Sequence, residues 1–182
     1  MIELITRYLE PHRVYHRLNH IVQMFEFAKT HGVTLSPEQM YAVLFHDAVY
    51  VPGAKDNEEK SAEVFLDWET SQHKFLFKTD LIKQIILDTK EEVPTIEESE
   101  LVIDLDLHQL AYTPEFQNNA LLIREEFLPF VGEEGYNRGR AAWLKGMLAR
   151  QTIFVSNHPA FRSIECAARW NLQNELRRLG QE

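Results

Sequence analysis

Ser36-Pro37-Glu38-Gln39-Met40-Tyr41-Ala42-Val43-Leu44-Phe45-His46-Asp47 reads as one helix with a marked start and a marked stop. Ser36 takes the N-cap position, Pro37 the first helical position and Gln39 the place of a capping-box glutamine. The run Met40 to Phe45 is apolar, so this helix is expected in the interior. Tyr50-Val51-Pro52-Gly53 follows, and Pro and Gly end helices. Adjacent helix positions are rotated by about 100°, so His46 and Asp47 converge on one ion only at such an end. The pair offers one nitrogen and one oxygen ligand, a combination that suits a divalent transition ion and is incomplete by itself.

Outward from this stretch, spacings of three and four recur and no period-two alternation persists, which predicts an all-α chain. The first helix is expected from near Val14 to His31, with Leu18, Ile21, Val22, Phe25 and Ala28 as its apolar stripe. A third helix is expected over Asn57 to Ser71 and a fourth over Thr79 to Thr89. The apolar segment Leu101 to Leu107 comes next, then a helix from Thr113 to near Pro129 and another from Glu133 to Arg150. His158-Pro159 opens the last, which runs to Gly180. The expectation is a single domain over residues 1–182, a helical bundle of seven to nine helices with no sheet of consequence.

Composition excludes several classes. A net charge of −9 argues against nucleic-acid binding, which needs a basic face. No run of 18 apolar residues exists, so no membrane span is expected. The lone Cys166 rules out an intramolecular disulfide framework and fits a reducing compartment. Met1 to Glu10 lacks a signal-peptide core, and a cytoplasmic protein is the expectation.

Candidate chemistry gathers on a few residues. His16 and His20 are four apart and share a face if both are helical. Asp104 and Asp106 are carboxylates inside an otherwise apolar helix, where each needs a cation, a metal or solvent. Positions i and i+2 diverge by about 200° around a helix, so the two do not bind the same ion. Phosphate binding in so acidic a chain draws on Arg13, Lys55, Lys90 and Arg140, with His16 as a further donor. Arg140 sits beside Gly139 and one turn before Trp143; either it clamps a phosphate or it forms an interior salt bridge to Asp104 or Glu126. Arg169 is expected to pair across to another helix.

These residues also carry a resemblance. Arg13-Val14-Tyr15-His16-Arg17-Leu18-Asn19-His20-Ile21 matches an Arg-x-Tyr-His-x-x-x-His-Ile pattern, and Phe45 to Tyr50 matches Phe-His-Asp-x-Val-Tyr. Asp56-Asn57-Glu58-Glu59-Lys60-Ser61-Ala62 matches Asp-Asn-Glu-x-x-Ser-Ala, and Ile103 to Leu107 the Leu-Asp-x-Asp-Leu segment. Tyr136 to Arg140 and Ala168 to Leu172 match the late Tyr-x-x-Gly-Arg and Ala-Arg-x-Asn-Leu patterns. With these motifs the chain resembles the HD superfamily of metal-dependent phosphohydrolases, and within it a bacterial-type family of predicted phosphohydrolases of about this size.

The resemblance implies an HD-domain-like bundle whose ion is held by His20, His46, Asp47 and one of Asp104 and Asp106, with Asp106 favoured by the motif. It implies hydrolysis of a phosphate ester or anhydride of a small, nucleotide-like metabolite. Such a ligand set suits Mn, Fe, Co, Ni or Zn, with Mg also admissible. Many members place a glutamate three residues after the aspartate of the pair, where this chain has Tyr50. Glu59 or Asp56 is the expected substitute, with His16 as a further catalytic group. Members also often carry a histidine two residues after a Thr-Lys pair; here Glu91-Glu92 follows Thr89-Lys90, so either Glu92 takes its place or that edge is rebuilt. Two rival readings share the fold: a non-catalytic ligand-sensing module, and a di-iron oxygenase drawing extra ligands from His16 and Asp56 or Glu59.

Overall fold

The computed structural model describes residues 2–72 and 78–180. Nine α-helices occur among them: α1 (Ile2–Arg7), α2 (Leu18–Thr30), α3 (Pro37–Phe45), α4 (Asn57–Ser71), α5 (Thr79–Asp88), α6 (Glu100–Leu107), α7 (Thr113–Ala149), α8 (Pro159–Arg162) and α9 (Glu165–Arg178). No strand occurs among the described residues, so the all-α expectation holds. Nor is any helix among them long and apolar enough to cross a membrane.

The start of α3 is written as the sequence dictates. Ser36 Oγ accepts from the Gln39 N–H at 3.1 Å while Gln39 Oε1 accepts from the Ser36 N–H at 2.9 Å, which satisfies two donors that a helix start leaves bare. Gln39 Nε2 donates onward to the Glu98 carbonyl at 2.8 Å, tying α3 to the turn before α6. α3 packs against α2, α4, α5 and α6, and its Ala42, Val43 and Phe45 are wholly buried. Phe65 of α4, Ile82, Ile85 and Ile86 of α5, and Val102, Ile103 and Leu105 of α6 close around it. α6 is only eight residues long and buried on nearly all sides, so any polar side chain it carries must be satisfied within the protein.

Three elements differ from the sequence expectation. α1 forms ahead of the helix expected to be first. α2 begins at Leu18 rather than Val14, because Arg17 is extended (φ −108°, ψ 173°) and the backbone before it is held by side chains from elsewhere. The last expected helix is split at Ser163–Ile164 into α8 and α9. α7 spans both the helix expected to end near Pro129 and the one expected from Glu133. Its two arms meet at Gly132, whose φ of 68° and ψ of 173° suit a residue without a Cβ.

Candidate metal centre and cavity

His20 comes from α2, His46 from the residue capping the end of α3, and Asp106 from the last turn of α6. One ligand atom from each lies within 4.8 Å of the other two. His20 Nε2 is 2.8 Å and His46 Nε2 3.7 Å from the same Asp106 oxygen, Oδ1. Asp47 stands outside that group of three but beside it, with Oδ2 3.3 Å from His46 Nε2. The position of the pair at the end of α3 is what lets both residues face one point.

The protonation pattern fits an ion. His46 Nδ1 lies 2.9 Å from the Val43 carbonyl, which only accepts, so the proton sits on Nδ1 and Nε2 is left as a lone-pair donor. That Nε2 is buried with no hydrogen-bond partner, since the nearby carboxylates are poorly aligned to it. An orphaned imidazole nitrogen facing carboxylates and a second histidine is a donor set that could hold a cation. His20 Nε2 faces Asp106 at 2.8 Å and Gln109 lies 3.3 Å behind it at Nδ1; holding an ion through Nε2 would place the ring proton on Nδ1, with the Gln109 amide turned to accept it. Burial alone would lower the His46 pKa, yet Asp47 and Asp106 prevail and raise it, so a cation at Nε2 would compete with a proton there. Burial pushes the Asp106 carboxyl up, but the two histidines hold it well below the usual range.

The turn carrying His46-Asp47 is braced from three sides. Arg13, wholly buried, donates from Nη1 to the Asp47 carbonyl at 2.6 Å and the His16 carbonyl at 3.2 Å. Its Nη2 reaches the Ala48 carbonyl at 3.1 Å and its Nε reaches Glu10 at 3.1 Å. Every nitrogen of the guanidinium is thus spent, which corrects the expectation that Arg13 binds phosphate; it positions the ligand turn instead. Ser61 Oγ accepts from the Val49 N–H at 3.0 Å, and Asn57 exchanges two hydrogen bonds with the Val51 backbone at 3.0 and 3.1 Å. The Asp-Asn-Glu-x-x-Ser-Ala motif therefore serves the same turn from α4.

Asp104 leaves the ligand set. It is fully buried and faces the opposite way, accepting from the N–H groups of Val155 (2.7 Å) and Ser156 (2.9 Å) and from Ser156 Oγ. Burial pushes its carboxyl up to about 6 against these bonds.

Above Asp106 opens a cavity of about 540 Å³. Tyr15, His16, Tyr50, Lys90, Glu92, Phe127, Arg140 and Trp143 are among its walls. His16 precedes α2 rather than sharing its face with His20, although the two rings are only 6.1 Å apart, edge to face. Its ring stacks on Tyr50 at 3.8 Å, and Nδ1 donates to Glu126 Oε2 at 2.6 Å. Glu126, buried in α7, also accepts from the Val14 and His16 backbone N–H groups. His16 opposes the burial of the Glu126 carboxyl and holds its pKa low.

Asp56 and Glu59 lie apart from this centre, exposed and paired with Lys60 and Lys90 respectively. Burial raises the carboxyl of the half-buried Glu58, and of these three acids it is the one that feels the charge of Asp47. Lys90 lines the cavity with its ammonium on Glu59 and the Lys55 carbonyl. Arg140 stacks on Trp143 at 4.6 Å and holds Glu175 of α9 through Nε (2.9 Å) and Nη2 (2.8 Å). Its salt bridge is thus to neither Asp104 nor Glu126, and the fork expected for a phosphate is filled by Glu175. Arg169 bonds Glu165 on its own helix and the carbonyls of Leu148, Arg150 and Gln151 at the end of α7.

Glu92 does reach the cavity. It adopts a left-handed φ of 52°, accepts from Trp143 Nε1 at 3.1 Å and pairs with Arg150 at 3.2 Å. Burial pushes its carboxyl up to about 7. Glu126 and the aromatic walls had no local signal in the sequence that assigned them to the site; their contacts span long stretches of chain.

Among the described residues the His20–His46–Asp106 group is the one cluster arranged to hold a metal. No protein-family model matches the chain, and neither curated proteins nor solved structures provide a match.

Proposed function

We propose that the chain is a metal-dependent phosphohydrolase of the HD type, acting on a phosphate ester or anhydride of a small, nucleotide-like metabolite. The observation that carries this reading is the orphaned, buried His46 Nε2 beside His20 and Asp106, the last of which lines a cavity of about 540 Å³. The motif resemblance supports it, since Arg13, Asn57 and Ser61 all brace the His-Asp turn.

His20, His46 and Asp106 would hold the ion, with Asp47 beside them; a mixed nitrogen and oxygen set suits Mn, Fe, Co, Ni or Zn. Bound there, the ion supplies Lewis acidity toward a phosphate oxygen and makes water more acidic. The protein's own work is proton handling and enclosure. Glu126 fixes the His16 proton on Nδ1, so Nε2 accepts the proton lost by water as its oxygen bonds to phosphorus. As the bond from phosphorus to the leaving oxygen breaks, His16 returns that proton to the leaving oxygen. The cavity walls exclude bulk water and take the organic part of the substrate.

The test is metal content per chain in protein purified without added metal or chelator, followed by hydrolysis of p-nitrophenyl phosphate by the loaded protein. Roughly one transition ion is expected, lost in His46→Ala and Asp106→Ala and kept in Asp104→Ala. A wild-type protein that takes up no Mn, Co, Ni or Zn would overturn the reading.

A further inference from the structure

We infer that the cavity takes a phosphate monoester by a flat, apolar organic group and disfavours pyrophosphates and nucleoside di- and triphosphates; this rests on the hydrolase reading above and narrows it. The argument is a charge count set against a surface. Among the described wall residues the fixed cations are Lys90 and Arg140, and the carboxyls are Asp106 and Glu92. Both cations are already engaged, Lys90 with Glu59 and Arg140 in a two-point contact with Glu175. A divalent ion at His20, His46 and Asp106 would already share its charge with Asp106 and the neighbouring Asp47, leaving no surplus beyond what one phosphoryl group requires. A second or third phosphoryl group would enter with no cation to meet it, and burying unpaired charge is costly. Sites built for polyphosphates supply arginine forks, lysines or helix N-termini along the phosphate chain.

The rest of the wall is apolar and ring-rich, with Tyr50, Leu107, Ile123, Phe127, Tyr136 and Trp143 among its residues. Its volume of about 540 Å³ falls within the range of about 300–1,000 Å³ typical of small-ligand pockets. Apolar area removed from water contributes about 25 cal/mol per Å², so a ring placed there binds where a second phosphate does not.

The experiment uses non-hydrolysable probes on the manganese-loaded protein, followed by titration calorimetry, with metal content checked after each titration. Phenylphosphonate is expected to bind at least tenfold more tightly than methylphosphonate, and methylenediphosphonate no more tightly than methylphosphonate. In Phe127→Ala the phenyl preference should shrink several-fold while methylphosphonate affinity and metal content stay unchanged. Equal affinity for the phenyl and methyl probes, or tightest binding of the diphosphonate, overturns the inference even if p-nitrophenyl phosphate is hydrolysed. Retained phenyl preference with no hydrolysis of any phosphate overturns the hydrolase reading and leaves the selectivity of the cavity standing.

Discussion

Asp104 and Asp106 sit two residues apart on α6 and do opposite things. Asp104 is sealed inside, its oxygens spent on two backbone N–H groups and a hydroxyl of the loop before α8. Asp106 faces the other side of the helix, a quarter exposed, with two imidazole nitrogens converging on one oxygen. The first carboxylate finishes a fold; the second, with an orphaned nitrogen beside it, leaves one unfinished. Burial of a charge is therefore a poor guide to function by itself. What separates the two is whether the partners saturate the group or gather around an empty point.

The largest effect should follow from breaking the unfinished side. Asp106→Ala is expected to abolish metal retention and hydrolysis together, a loss greater than the roughly 10–100-fold typical of removing an outer-shell partner. The metal-free variant should still fold, at a cost of about 1–2 kcal/mol for leaving the buried His20 N–H without its acceptor. Elemental analysis and urea melts in chelator check both halves. A variant that keeps its ion would move the ligand role to Asp47.

Asp104→Ala should invert that pattern. Val155 and Ser156 would keep buried N–H groups with no acceptor, at a cost of about 3 kcal/mol in total, or a fall of about 6–12 °C in Tm for a chain of this size. Metal per chain should stay at the wild-type level. Hydrogen exchange would show the loss where it arises, in faster exchange of the Val155 and Ser156 amides. Metal loss without destabilisation would contradict the assignment.

Arg13 joins the two behaviours, since it is buried like Asp104 yet acts on the ligand turn. Lysine lacks the planar fork that reaches the carbonyls of His16, Asp47 and Ala48 at once. Arg13→Lys is expected to weaken metal affinity by about tenfold while lowering stability by about 1–2 kcal/mol. Unchanged metal affinity in a destabilised variant would reduce Arg13 to a fold residue.

What the sequence made legible follows the same division between local and distant causes. The capping box of Ser36 and Gln39, the end of the helix at His46-Asp47, and the divergence of positions 104 and 106 are local, and each appears in the structure. The helix start at Leu18 was misplaced because the cause lies over a hundred residues away, where Glu126 takes the Val14 and His16 N–H groups. Arg140 was assigned the wrong partner for a related reason: Glu175 is brought to it only by the packing of α9 on α7. Arg13 looked like a phosphate ligand because spacing reveals a cation but not the carbonyls that will enclose it.

The smallest effect sharpens the comparison at the cavity edge, where Glu92 is mostly covered and partnered by Trp143 and Arg150. Its carboxyl ordinarily titrates near 4.5 and in the fold at about 7, burial outweighing the Arg150 guanidinium and the Trp143 N–H. The folded protein thus keeps a proton that the unfolded chain releases, so stability declines as pH rises from 4.5 to 7 and the penalty is complete above that. At about 1.36 kcal/mol per pH unit the penalty is at most about 3 kcal/mol. Glu92→Gln removes it, the attraction of Arg150 being already inside the shift; with solvent screening of the partly exposed carboxylate the gain at pH 8 is expected at about 1–2 kcal/mol. At pH 5, where Glu92 is protonated in the fold and mostly ionised in the unfolded chain, the penalty is only about 0.8 kcal/mol, so the variant should exceed the wild type by less than it does at pH 8. Urea melts of the metal-free proteins at the two pH values read the difference directly. A variant less stable at pH 8 than at pH 5, relative to wild type, would mean that Arg150 and Trp143 saturate Glu92 as fully as the loop saturates Asp104. Glu92 would then belong with the finished carboxylates.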